Sequence, residues 1–194
     1  MDASVLQNLS IEQIIDVLKE KVGKEETVRF LLREKMGIST VRLGTGPRNA
    51  RAFCEALSSD GFSIDKEIRD IPDSPALIAL DRGINVDVVD VSVKDLGCPA
   101  GARYKEVCMR GLDLGYRLCP PELAYQLRRQ YVNQPVGERL YLAMKSVVDS
   151  YGNQRIFAVG CDENGPYFGL DRGGLDEFWF ASRRFVFIRP RRMN

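Results

Sequence analysis

The sequence predicts an α+β protein: a helical N-terminal region, residues 1–75, and a domain of two helices and small antiparallel sheets, residues 76–194. Three observations support this. Apolar residues recur at helical spacing through most of the first region. Valine-rich and aromatic runs typical of strands follow the joint at Asp73, Ser74 and Pro75. An Asn164-Gly165 turn joins two such runs, which is the signal for a hairpin.

Charge, histidine and cysteine content exclude several classes of function. Lys and Arg total 28 against 27 Asp and Glu, a balance that argues against a general nucleic-acid or membrane-surface footprint. Histidine is absent, which excludes histidine triads and most catalytic zinc sites. The five cysteines form no C-x-x-C pair, so we expect mostly reduced thiols and no metal. A disulfide among Cys98, Cys108 and Cys119 stays open at this point.

The length and the apolar runs set further bounds. A folded chain of 194 residues buries roughly 70% of its extended surface, so it needs neither metal nor disulfide for stability. No apolar run approaches the roughly 20 residues of a membrane span. The N-terminus lacks a basic segment followed by a long apolar run, so no signal peptide is expected and a cytoplasmic location is the default. No cofactor is expected either.

The N-terminal region is predicted to hold short helices and one strand. Ser10 and Gln13 fit a capping box at the start of the first helix, and Pro72 ends the last. Three small helices can form a helix-turn-helix, but Arg42, Arg48 and Arg51 are too few for a basic stripe, so DNA binding is disfavoured. The predicted helices are residues 10–22, 24–36, 47–58 and 63–71, and the strand is residues 40–43.

A Gly44-Thr45-Gly46-Pro47 turn lies between the predicted strand and the third helix. Exposed amides at a helix start attract anions, which suggests a phosphate-binding turn. The third fingerprint glycine and the Walker lysine are absent, and the strand is short. We therefore favour a structural strand-to-helix turn.

The second region is predicted to alternate strands and helices. Residues 76–80 and 86–93 are strand-like, and a change of parity between Val88 and Val89 predicts a bulge. Glu122 near the start and Arg128-Arg129 near the end of a helix suit its dipole. The other predicted elements are helices at 101–115 and 121–131, a strand at 140–148 and a turn at 149–153.

The C-terminal stretch, residues 155–189, is the best candidate for function. It has strand-like runs at 155–161 and 185–188, and the Asn164-Gly165 turn allows positive φ at both positions. Between them, residues 167–184 mix aromatics, glycines and charges without a clear period. Such a stretch is typical of a surface region held between firm strands, where aromatic and arginine side chains suit recognition. The alternative is that these aromatics form the core of a small sheet.

A resemblance to a known fold rests on two motifs. Residues 115–118 read G-Y-R-L, Pro121 and Glu122 follow, and the chain closes with F-V-F-I-R at 185–189. With the order strand, helix, turn, helix and antiparallel strands, residues 76–189 resemble the C-type lectin fold of formylglycine-generating-enzyme-like domains. That family has P-T where this chain has Cys119-Pro120-Pro121, and a glycine where this chain has Arg184.

The lectin-like version that best fits the C-terminal stretch is the variable protein of a diversity-generating retroelement, which diversifies a C-terminal segment by adenine mutagenesis. Codons diversified this way yield a limited set of residues, and between residues 167 and 185 only Glu177 and Trp179 fall outside it. The resemblance implies a non-enzymatic ligand-binding protein, whose unknown ligand we expect to be a protein. The implied ligand-binding residues are Tyr167, Phe168, Leu170, Asp171, Arg172, Leu175, Asp176, Phe178, Phe180, Ser182 and Arg183.

Two alternatives use other residues of the same chain. A cysteine-dependent enzyme on the same fold would use Cys161 near the proposed face, or Cys119 before a helix, where a thiolate is stabilised. Carboxylates could supply an acid–base pair or cation site, although turn acids are more often solvated; they are Asp162, Glu163, Asp171, Asp176 and Glu177.

The other alternative is a nucleic-acid or protein-interaction module that uses a basic C-terminal arm. Such an arm equally serves as a solubilising end, and nucleic acid is the disfavoured partner. The arginines concerned are Arg183, Arg184, Arg189, Arg191 and Arg192.

Overall fold

The computed structural model describes residues 38–69, 71, 80 and 82–190, all within one compact unit that runs from Gly37 to the C-terminus. The predicted helices at 10–22 and 24–36 and most of the predicted strand at 76–80 lie outside the described residues. The helices are α1 (Ala50–Ser59), α2 (Lys66–Arg69), α3 (Tyr104–Asp113) and α4 (Pro121–Gln130). The strands are β1 (Thr40–Leu43), β2 (Ser63–Ile64), β3 (Ile84–Ser92), β4 (Ala102–Arg103), β5 (Arg139–Leu142), β6 (Val147–Val148), β7 (Gln154–Asp162), β8 (Gly165–Arg172), β9 (Phe178–Trp179) and β10 (Arg184–Arg189).

The α+β class is confirmed, but most strands belong to one large mixed sheet and only one small antiparallel sheet is present among the described residues. Eight strands form one sheet in the order β1-β3-β10-β5-β7-β8-β2, with β6 also paired to β7. The sheet is mixed because β10 lies between β3 and β5 and runs parallel to β5. Strands β4 and β9 form a separate two-stranded sheet. None of the described helices is long and apolar enough to cross a membrane.

Two strands from the expected N-terminal region join this sheet. β1 matches the strand predicted at residues 40–43 and pairs with β3. The helix predicted at residues 47–58 corresponds to α1. The helix predicted at 63–71 is wrong at its start, because Ser63 and Ile64 pair in parallel with β8. Asp65 then accepts a hydrogen bond from Leu170 N at 2.9 Å, and only Lys66–Arg69 is helical. The sheet therefore extends across the expected boundary at residue 75.

Strand β3 is regular, and the predicted bulge is absent. Its pairing with β10 runs without a break from Asp87 to Ser92. The four consecutive residues Val88 to Val91 are all buried, which places core on both faces of the strand. Apolar residues therefore occur at both odd and even positions because both faces of β3 are buried, and not because the strand contains an extra residue.

The turn at Gly44 is structural, as favoured from the sequence. Gly44 N donates to the Glu122 carboxylate at 2.6 Å, and Leu80 N donates to its other oxygen at 2.9 Å. Glu122 is 2% exposed, so it is a buried hydrogen-bond acceptor as well as an acidic residue near the positive end of the α4 dipole. Arg128 is also fully buried and donates to Gly160 O at 3.0 Å.

The predicted hairpin is β7–β8, with a two-residue loop of Glu163 and Asn164. Gly165 has φ of +109°, whereas no described non-glycine residue has positive φ. The expectation of positive φ at Asn164 is therefore wrong, and the glycine alone supplies it. Pairing continues to Arg172, so the irregular stretch begins at 173 and not at 167.

Aromatic side chains fill both faces of the sheet. On one face the Tyr125 ring of α4 lies 4.7 Å from each of the Phe53 and Phe168 rings and 5.3 Å from the Phe157 ring. On the other face Phe185 packs against Tyr104, Tyr141 and Trp179. Residues opposite each other on neighbouring strands share a face, so Phe168 belongs to the α4 face, whereas Tyr167 and Asp171 belong to the Trp179 face.

Candidate ligand-binding surface

The β8–β10 segment, residues 173–183, connects the two strands over the face that holds Trp179. Its backbone is hydrogen-bonded to the scaffold along its whole length, and β9 within it pairs with β4. The segment is therefore an ordered surface and not a free loop. The bonds are Gly173 N to Gln154 O at 2.8 Å, Lys105 N to Leu175 O at 3.0 Å, Tyr104 N to Glu177 O at 2.8 Å, Lys94 N to Ala181 O at 2.9 Å and Val93 N to Arg183 O at 2.9 Å.

Trp179 anchors the segment to the core. The side chain is 5% exposed, and its ring centroid lies 4.6 Å from that of Tyr141 and 4.9 Å from that of Phe185. Both contacts are edge-to-face, a favoured arrangement of aromatic rings. The indole Nε1 is buried, and no described residue accepts a hydrogen bond from it.

The neighbours of Trp179 point outward. Leu175, Phe178 and Phe180 are 56%, 52% and 65% exposed. The Phe178 and Phe180 rings meet edge-to-face at 5.7 Å, and Phe178 also covers Gly101, where a Cβ would lie 2.5 Å from the ring. Large apolar side chains clustered on an ordered backbone in this way are typical of a recognition surface.

The structure separates the predicted ligand-binding residues into three groups by exposure. Phe168 and Leu170 are 0% and 7% exposed, so their assignment to the binding face is wrong. Side chains alternate along β8, and these two fall on the α4 face of the sheet. Tyr167 and Asp171 are half-buried on the opposite face. The exposed residues are Arg172, Leu175, Asp176, Phe178, Phe180, Ser182 and Arg183.

A shallow cleft of about 280 Å³ lies between the segment and the sheet. Sequence reasoning missed Tyr141, which forms part of its wall from β5, and Arg139, which holds Asp171. The strand predicted at 140–148 includes Tyr141 but not Arg139, and only the pairing of β5 with β7 and β10 shows which face of the sheet they occupy. The cleft is lined by Tyr141, Asp171, Arg172, Glu177, Phe178, Trp179, Phe180 and Arg183.

Most charges around the cleft are paired. Arg139 contacts Asp171 at 3.0 Å, and Arg172 contacts Glu177 at 3.0 Å. Arg183 is exposed and lies 6.0 Å from the centre of the Tyr141 ring. No described carboxylate lies within ion-pair distance of Arg183. Burial raises the pKa of the Tyr141 phenol, against the lowering effect of Arg139 and Arg183.

Asp176 on the outer side of the segment is paired with two cations. Lys105 Nζ lies 3.0 Å and Arg103 Nη1 3.6 Å from its Oδ1. The hydrogen bond and the charge of Lys105 lower the pKa of Asp176. These exposed pairs connect the segment to the start of α3.

The cysteines of the enzyme alternative are free thiols. None of the five is in a disulfide, so the open pairing among Cys98, Cys108 and Cys119 is not formed. Burial raises the pKa of the Cys119 thiol well above its usual range, and that of Cys108 to about 11. The structure therefore disfavours the alternative of a stabilised thiolate at Cys119, because desolvation outweighs its place before a helix.

The remaining candidate groups are mostly engaged in structure. Asp162 accepts a hydrogen bond from Asn164 N at 2.8 Å within the hairpin turn. Arg184 is ion-paired with Asp90 and with Glu138, the latter at 2.7 Å, so it is not part of a free basic arm. Arg191 and Arg192 lie outside the described residues. Within the described part of the chain, no three Cys, Asp or Glu side chains are placed to hold a metal ion.

Comparison with known proteins assigns no family: no family model, curated protein or solved structure matches this chain.

Proposed function

We propose that this protein binds a macromolecular ligand through the β8–β10 segment, and that this segment is diversified on a C-type lectin-like scaffold. The order β3, α3, turn, α4 and then strands supports the scaffold part of the proposal. The two motifs behind the resemblance also touch, since Arg117 N donates to Ile188 O at 2.8 Å and Ile188 N to Arg117 O at 2.9 Å. The turn and the closing strand are thus hydrogen-bonded to each other.

The main support for the proposal is that the backbone of the segment is hydrogen-bonded to the scaffold while several of its side chains are exposed. Trp179, which adenine mutagenesis cannot produce, is the buried anchor. Glu177 is the other residue that adenine mutagenesis cannot produce. Its backbone carbonyl accepts a hydrogen bond from Tyr104 N, and the residue is half-buried. Leu175, Phe178 and Phe180, which the mechanism does produce, are exposed. A surface of this kind can change its side chains without losing its backbone.

Sequencing the DNA around the gene tests the diversification. We expect an imperfect repeat of the 3′ end of the gene, differing at adenines, beside a reverse transcriptase gene. The differences should fall on codons of exposed residues such as Phe178 and Phe180 and spare Trp179. A complete locus without such a repeat would contradict diversification while leaving ligand binding to be judged separately.

Panning a phage-displayed random peptide library on the purified chain tests the binding surface. We expect the enriched peptides to lose binding when Leu175, Phe178 and Phe180 are replaced together by serine. The matched control replaces Val132, Val136 and Val148 by serine, since these are 64%, 68% and 51% exposed elsewhere. Peptides that bind the first variant as well as the wild type would contradict the proposed surface.

A further inference from the structure

The charge around the cleft does not cancel. Asp171 is neutralised by Arg139 and Glu177 by Arg172, each at 3.0 Å. Arg183 is the lining cation for which the described residues supply no carboxylate. Among the described residues, the positive charge of Arg183 therefore has no counter-charge, and its guanidinium lies 6.0 Å from the centre of the Tyr141 ring.

Arg183 has aromatic neighbours on one side of the cleft. Trp179 and Tyr141 form the buried wall, at 5% and 2% exposure, and Phe180 is exposed at the rim. A guanidinium next to low-dielectric aromatic surface binds anions more strongly than one in open water, and its planar fork matches a carboxylate with two parallel hydrogen bonds.

We propose that this cleft binds the side-chain carboxylate of an aspartate or glutamate on a protein ligand, with an apolar neighbour of that residue packed against Phe180. The inference rests on the proposed ligand-binding function and names the chemistry recognised at its centre. A singly charged carboxylate matches the single charge of Arg183, which no described carboxylate neutralises. A phosphate carries about 1.5 to 2 negative charges and would meet the paired but nearby Asp171 and Glu177 carboxylates, which disfavours it.

The chain contains a single tryptophan, and it lines the cleft, so its fluorescence reports binding directly. The probe is N-acetyl-phenylalanyl-glutamate amide, titrated into the full chain. The matched probes are the same dipeptide with glutamine or lysine in place of glutamate, and inorganic phosphate. The variants are Arg183→Gln and, as a control, Arg110→Gln, which removes an exposed arginine from α3 outside the cleft.

We expect the glutamate dipeptide to change Trp179 fluorescence saturably and to bind about tenfold more tightly than the glutamine dipeptide. Arg183→Gln should abolish that difference, whereas Arg110→Gln should leave it intact. Equal binding of the glutamate and glutamine probes, tighter binding of lysine or phosphate, or no binding of the glutamate probe would each overturn the carboxylate assignment. The proposed function fails on a separate result, namely that the panned peptides bind the triple serine variant as well as the wild type.

Discussion

Strand β8 and the β8–β10 segment are consecutive in sequence and similar in composition, yet they have opposite roles. Each contains aromatic residues, glycines and charges, but Phe168 in β8 is fully buried whereas Phe180 in the segment is 65% exposed. Pairing with β7 and β2 on its two sides fixes β8, so its side chains alternate between two packed faces. The segment is held by its backbone, by Trp179 and by the exposed ion pairs of Asp176. The comparison shows that packing on both faces of a strand, and not composition, decides which aromatics are exposed.

The largest expected difference between the two regions concerns stability. Phe168→Ala should lower the free energy of unfolding by about 3–5 kcal/mol, because it leaves a cavity between Tyr125 and Phe157. Phe180→Ala should change it by no more than about 0.5 kcal/mol, as for other exposed positions. Urea unfolding of the two variants measures both values. Similar losses for the two would show that the segment belongs to the core.

The junction between the regions gives a second, smaller contrast. A Cβ on Gly173 would lie 2.6 Å from the backbone carbon of Arg155, whereas on Gly174 the nearest atom is 3.8 Å away. Gly173→Ala should therefore cost about 1–3 kcal/mol of stability through overpacking. Gly174→Ala should be close to neutral. Thermal unfolding of the two alanine variants compares them, and a neutral Gly173→Ala would mean that the junction is looser than described.

The third and smallest contrast concerns stability at low pH and compares a buried carboxylate, Asp149, with an exposed one, Asp176. Burial raises the pKa of Asp149, but hydrogen bonds from Arg155, Asn153 and Tyr151 outweigh it and lower the pKa from 3.8 to about 2. An aspartate whose pKa is lower in the folded state contributes stability above its unfolded pKa, and loses it as pH falls from about 4 to about 2. Asp149→Asn should remove part of the acid dependence of the urea midpoint.

Asp176 serves as the exposed counterpart in that experiment. Its pairs with Lys105 and Arg103 are solvent-accessible, so any effect of Asp176→Asn at neutral pH should vanish in about 0.5 M sodium chloride. The effect of Asp149→Asn should persist in the same salt, since its partners surround a buried group. An Asp149 effect that salt removes would contradict this assignment.

Features with local signals were predictable from the sequence. The strand at β1, helix α4 with its first-turn proline, the β7–β8 hairpin and the closing strand β10 all follow from local pattern and turn chemistry. The exposure of Phe178, Phe180 and Arg183 was also predicted, because a stretch without period between firm strands is typical of a surface.

Features that depend on distant residues were not predictable. Ser63 and Ile64 are too few to mark a strand, yet their pairing with β8 helps bury Phe168. Tyr141 reaches the cleft only because β10 lies beside β5 in the sheet. Glu122 fits the preference for an acidic residue near a helix N-terminus. Its carboxylate in fact accepts hydrogen bonds from Leu80 N and Gly44 N, about forty and eighty residues away in the sequence. Such contacts come from topology, which a single sequence specifies only indirectly.

One measurement tests the central claim, that the segment varies independently of the fold. Two libraries are displayed on a cell surface and challenged with protease: one randomises Leu175, Phe178, Phe180, Ser182 and Arg183, and the other randomises Tyr167, Phe168, Gly169, Leu170 and Asp171. We expect most clones of the first library to resist protease like the wild type, and most clones of the second to be cleaved. Equal sensitivity of the two libraries would contradict it.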